Sequence, residues 1–171
     1  SNTTASDNIA IGRLALQAVT TSANNVAIGS SALYNNTGAD NTAVGRSALL
    51  ANTTGGNLVA VGKGALESNT TANDNVAVGA FALDANTTAD NNTAIGTNAL
   101  GAGTTANENT AAGKNAGYAI TTGSSNTIIG NATAASLTTG AANVIVGHAC
   151  NVTAAASNYA MALGHNLSCE A

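Results

Sequence analysis

Along this chain a short alternation of apolar side chains ends in glycine, a polar gap follows, and the alternation returns. "NTAVGRSAL" at Asn41–Leu49 and "NTAIGTNAL" at Asn92–Leu100 are two instances. The closing glycines are Gly12, Gly29, Gly45, Gly62, Gly79, Gly96, Gly113, Gly130, Gly147 and Gly164. They are 17 residues apart, except for one step of 16 between Gly29 and Gly45. Repetition this regular is an architecture before it is a site.

One residue before the glycine stand Ile11, Ile28, Val44, Val61, Val78, Ile95, Ala112, Ile129, Val146 and Leu163. Two before it the chain has Ala, except at Ile128 and Ile145. Three before it stand Ile9, Val26, Thr42, Val59, Val76, Thr93, Thr110, Thr127, Val144 and Met161. Branched residues alternating with a small one predict a short strand, with the branched side chains on one face and Ala on the other. One strand per repeat, ten times over, predicts parallel stacking into a solenoid, a rod of roughly 43 Å at a 4.8 Å rise per coil.

After the glycine and two variable positions comes an "AL" pair: Ala15-Leu16, Ala32-Leu33, Ala48-Leu49, Ala65-Leu66, Ala82-Leu83 and Ala99-Leu100. This second apolar contact is a short strand or a single helical turn, because so short a run carries no period. A polar "NTT" turn follows at Asn52, Asn69 and Asn86. The fold expected is all-β: a flattened parallel β-roll of about ten 17-residue coils, with a left-handed triangular β-helix as the second choice because no six-residue period appears.

Residues 1–125 read as the regular array and 126–171 as divergent coils of the same solenoid, a cap or a tip. In the latter the "AL" pair is lost and Ile replaces Ala at 128 and 145. The branched residues and the Leu are expected to point inward. That core is thin, so the Ala face is expected to pack against neighbouring chains around a three-fold axis, burying apolar surface at about 25 cal/mol per Å².

Composition supports thin layers. Apolar residues make up 44% but aromatic ones 2%, so the side chains that fill a globular core are scarce. The net charge of −4 offers no basic patch for nucleic acid, and no apolar run reaches the roughly 18 residues of a membrane span. "SNTTASDNIA" has neither the basic start nor the apolar run of a signal peptide and reads as part of a repeat, as in a piece of a longer chain. Five residues before the glycine, acid and amide alternate through Asp7, Asn24, Asp40, Asn57, Asp74, Asn91 and Glu108. In a parallel stack this separates like charges and lets an amide donate to an acid.

The unit at Asn41–Gly56, "NTAVGRSALLANTTGG", resembles repeats of trimeric fibre proteins: phage tail fibres and bacterial fibre adhesins, many with an endosialidase-type chaperone. "NVAIG" at Asn25–Gly29 and "NVAVG" at Asn75–Gly79 resemble head repeats of YadA-type trimeric autotransporter adhesins, whose shorter unit lacks the "AL…NTT" segment. The resemblance runs from Asp7 to about Gly164. It implies a homotrimeric, left-handed parallel β-roll displayed on a cell surface or virion, attaching to a cell-surface glycan or protein receptor.

Candidate chemistry is sparse. His148 and His165 follow successive repeat glycines and are expected to stack. A metal on a three-fold axis is conceivable there. Arg13, Arg46, Lys63 and Lys114 hold the same place elsewhere, which favours an exposed turn. With Asn151 and Tyr159 these histidines form the candidate binding set, since the C-terminal coils diverge most. Cys150 takes the Ala place of "AL" and reads as a buried thiol. Cys169 lies two positions along the next coil, about 8 Å away by stacking geometry and beyond ordinary disulfide reach. Glycosylation sequons at Asn52, Asn69, Asn86, Asn131 and Asn151 arise from the repeat itself, and none is expected to be used.

The Thr column Thr20, Thr37, Thr53, Thr70, Thr87, Thr104, Thr121 and Thr138 resembles the hydroxyl arrays of ice-binding solenoids, which is the alternative function. Glu67 and Asp84 form a pair only if stacked. Tyr34, Phe81, Tyr118 and Tyr159 are scattered, so no aromatic platform is evident. No catalytic constellation appears, and no cofactor is expected. The function expected is a non-enzymatic, extracellular, adhesive or spacing fibre segment.

Overall fold

The computed structural model describes residues 4–169. The first three residues of the N-terminal segment and the last two of the divergent segment lie outside the described residues. Ten strands form one parallel sheet in chain order: β1 (Ile9–Ile11), β2 (Val26–Ile28), β3 (Thr42–Val44), β4 (Val59–Val61), β5 (Val76–Val78), β6 (Thr93–Ile95), β7 (Thr110–Ala112), β8 (Thr127–Ile129), β9 (Val144–His148) and β11 (Met161–His165). Register follows the repeat: Ala60 pairs with Ala77, and Ala77 with Ala94. The 16-residue step does not disturb it, since Ala27 pairs with Ala43 and Ala43 with Ala60. The missing residue falls in the polar turn, where Asn36-Thr37-Gly38 stands opposite Asn52-Thr53-Thr54-Gly55. Deletion there shortens a loop and leaves the strands aligned. The chain is a parallel β-solenoid.

The strand faces are the reverse of the expected ones. Ala27, Ala43, Ala60, Ala77, Ala94 and Ala111 are fully buried inside the coil, whereas Ile11 is 58% and Ile95 47% exposed. The reason is thickness. Across the coil Leu33, Leu49, Leu66, Leu83 and Leu100 fill the interior and are buried to within 2% of completely. A flattened coil filled by Leu from one wall has room for only a methyl group from the other. The expectation that Ala faces neighbouring chains is therefore wrong. The outward face carries Val, Ile and Thr.

The "AL" segment is neither strand nor helix in the regular coils. It is a pair of successive turns, closed for example by Ala65 N–H donating to Gly62 O at 3.3 Å and Asn69 N–H donating to Leu66 O at 3.1 Å. Each Leu is held in the left-handed region, with φ between 51° and 54° from Leu16 to Leu100. An apolar L-residue rarely goes there unaided. The inward turn of its side chain into the core over-determines it. Only in the last coils does the segment become a second sheet, β10 (Asn151–Val152) beside β12 (Ser168–Cys169).

Two columns of buried asparagine line the polar edge. Asn69 Nδ2 donates to Asn52 Oδ1 at 2.8 Å, and Asn86 Nδ2 to Asn69 Oδ1 at 3.0 Å. In the second column Asn92 N–H donates to Asn75 Oδ1 at 2.8 Å and Asn109 N–H to Asn92 Oδ1 at 2.9 Å. Each amide also serves a turn carbonyl, as Asn109 Nδ2 does for Gly123 O. A buried amide left unpaired is costly. Repetition supplies the partner, because the coil above offers the same group at the same height.

The glycine column needs glycine for two reasons. Gly12 has φ 128°, a conformation that L side chains rarely adopt, and a Cβ on it would stand 2.6 Å from Gly29 O in the next coil.

Candidate functional site

Of the candidate C-terminal set, only the two histidines are brought together. His148 and His165 pair in register, with ring centroids 5.0 Å apart and planes within 12°. Tyr159, 87% exposed, precedes the start of β11, while His165 ends it. The length of β11, roughly 13 Å of strand, lies between them. Asn151 turns aside: its Nδ2 donates to Ser136 Oγ at 3.1 Å, and its Oδ1 accepts from Ser136 N–H. Stacked imidazoles carry their lone pairs in parallel planes, so a cation between them is out of line with both. Among the described residues no group of three or more His, Cys, Asp or Glu is placed to hold a metal ion. Arg13, Arg46, Lys63 and Lys114, in the same column, are all exposed.

Cys150 is fully buried and Cys169 partly so, both as free thiols. Cys169 pairs with Val152, two residues beyond Cys150. The sequons at Asn52, Asn69 and Asn86 lie inside the buried amide column, closed to modification in the folded chain.

The Thr column is committed to the backbone. Thr37 Oγ1 donates to Thr53 O and Thr53 Oγ1 to Thr70 O, each at 2.8 Å, and the pattern continues to Thr138, which donates to Ala155 O at 3.4 Å. The acid–amide column behaves as expected at Asn24, whose Nδ2 donates to Asp40 Oδ1 at 2.9 Å. It has a second cause that pattern reading missed: all seven residues from Asp7 to Glu108 have φ between 56° and 61°. Asn and Asp tolerate that region best.

Comparison with family models, curated proteins and solved structures finds no match.

Two surface features remain. The first is the outward strand face, where Ile9, Ile11, Ile28, Ile95, Ile129, Val144, Met161 and Leu163 are among the most exposed large apolar side chains. The second is a cleft of about 350 Å³ beside Tyr118, lined by Asn98, Asn115, Ala119, Ala132 and Ala135. Near it Glu67 and Asp84 occupy the same place in successive coils. Partial burial, and to a lesser degree the Glu67 charge, raise the Asp84 carboxyl above its usual value. No helix among the described residues is long and apolar enough to cross a membrane.

Proposed function

We propose that this solenoid is a rigid segment of an extracellular trimeric fibre, non-enzymatic, that extends and presents attachment sites toward a cell-surface receptor. The outward strand face carries the reading. Ten strands of three or more residues, stacked in register, leave a continuous strip rich in Val, Ile and Thr open on one side. Its projected area is roughly 400 Å², the size at which the largest apolar patch of a soluble protein is often functional. The strip carries no Asp, Glu, Lys or Arg, which suits burial against identical strips. The resemblance of the repeats to fibre proteins supports three as the number of chains.

The Thr column supports spacing rather than ice binding. Its hydroxyl protons hold one coil to the next, so the regular Thr array is a structural seam. The decisive experiment is absolute mass by light scattering on the chain alone. Each protomer is 16.4 kDa. A species of three times that mass is expected, and a monomer at micromolar concentration would overturn the reading.

A further inference from the structure

Tyr118 stands five residues after Gly113, in a column whose neighbours are Asp84, Gly101 and Ala135. The small residues on either side determine what the ring can do. A Cβ on Gly101 would stand 2.9 Å from Tyr118 Cε2 and 3.2 Å from Asp84 Oδ1, so glycine there lets the ring edge rest against the sixth coil. On the other side Ala135 projects almost nothing, and the cleft of about 350 Å³ opens beside the half-exposed ring.

The opposite wall is two stacked amides. Asn98 Nδ2 donates to Asn115 Oδ1 at 3.3 Å. Among the described residues Asn98 Oδ1 and Asn115 Nδ2 have no protein partner, which leaves one acceptor and one donor at the rim. No charged side chain lines the cleft. The geometry points to this cleft as a binding site for one neutral hexopyranose unit.

The chemistry fits that class on three counts. An aromatic ring presents a negative face to the polarised C–H groups of a pyranose. A free amide donor beside a free amide acceptor matches two neighbouring hydroxyls, each of which both gives and takes a hydrogen bond. Three alanines give a small apolar floor, and the volume holds a single sugar ring. An anionic sugar finds no cation in the lining, and the chain carries a net charge of −4. The inference rests on the fibre reading for its valency. Three copies on one trimer turn a weak single site into useful avidity.

The test is saturation-transfer NMR on the full chain, with methyl glycosides of glucose, galactose, mannose and N-acetylglucosamine, and N-acetylneuraminic acid as the anionic probe. One neutral glycoside is expected to receive transfer from Tyr118 ring protons, with a Kd on the order of millimolar. Tyr118→Ala is expected to weaken it about tenfold. Ala135→Leu, which fills the cleft from an exposed position, is expected to abolish it. Tyr34→Ala, in the same column but five coils away, is expected to change nothing. Absence of transfer from every neutral glycoside, preference for the anionic probe, or indifference to both Tyr118→Ala and Ala135→Leu would overturn the site. Mass measured on the same sample separates the two claims. A trimer without sugar transfer loses the site and keeps the fibre, and a monomer with transfer does the reverse.

Discussion

Ile128 Cδ1 lies 2.9 Å from the point where a side chain on Gly117 would begin. The regular coils pair an inward Ala on one wall with an inward Leu on the other. Here both are exchanged: Gly117 takes the Leu place and Ile128 the Ala place of the next coil. Both Ile128 and Ile145 are fully buried. The loss of "AL" and the gain of Ile, read in the sequence as divergence toward a cap, are the two halves of one volume-conserving exchange.

That exchange is testable as a cycle. Ile128→Ala alone opens a cavity and is expected to cost about 2–5 kcal/mol. Gly117→Leu alone overfills the same space and is expected to cost about 1–3 kcal/mol. Gly117 has φ 60°, close to the 51° of Leu100, so the backbone already has the conformation that Leu uses. The double variant is expected to recover most of the loss in urea denaturation, with strong coupling between the sites.

The buried amide column ends without a partner. Asn86 Oδ1 is buried and has no hydrogen bond, because Gly103, the next residue in its column, has no side chain to donate. A Cβ on Gly103 would meet nothing closer than Leu100 O at 3.3 Å, and the glycine is not in the left-handed region. Gly103→Asn is expected to satisfy Asn86 Oδ1 but to hand the unpaired oxygen to the new amide, which faces the buried Ile120, so the net change in stability is expected to stay below about 1 kcal/mol.

Gly62→Ala tests the glycine column. Its φ is 140°, and the added methyl would strike the Gly79 carbonyl group. Strain at such a φ alone costs on the order of 1–3 kcal/mol, and the collision is with backbone that cannot step aside. The expected result is a loss larger than that strain. The same substitution at Gly56, where a Cβ has one tight neighbour, Ala39 O at 3.1 Å, and φ lies outside the left-handed region, is expected to cost less than at Gly62.

The outward strand face predicts assembly. Val61→Glu with Val78→Glu places two charges at the middle of the strip, on strands whose inward residues Ala60 and Ala77 are untouched. The mass of the proposed trimer is expected to fall to that of the protomer, while far-UV circular dichroism is retained. An unchanged mass would remove the strip from the interface.

Asp84 predicts a pH dependence. Its carboxyl is raised above the ordinary 3.8, first by burial and then by Glu67. The folded chain therefore holds that proton more tightly than the unfolded one. The contribution to stability is fully present below 3.8 and is lost as pH rises through the raised folded value. Asp84→Asn is expected to stabilise at neutral pH and to be neutral in strong acid. Glu67→Gln is expected to lower the Asp84 titration midpoint when followed by carbon-13 NMR.

The sequence by itself determined the period, the strand positions, the parallel register, the glycine column and the exposed column of Arg, Lys and His. These follow from repetition: whatever one coil places at a height, the next places one rise away. The tertiary register placed the one-residue deletion in a turn. The tertiary structure decided which strand face is inside. Both faces are apolar, so alternation is symmetric, and the sign is set by the volume that Leu takes up from the opposite wall. Tertiary packing also put leucines into the left-handed region, against their local preference, and made buried ladders of asparagines that read as surface turns. The signal for the ladders was present, as Asn25, Asn41, Asn75, Asn92, Asn109, Asn126 and Asn143 recur four residues before the glycine. A polar residue at fixed period does not show whether it faces water or its own copy. The cleft was illegible for a related reason. Tyr118 becomes a ring beside a cavity only because Gly101 and Ala135, one repeat away on either side, leave it room.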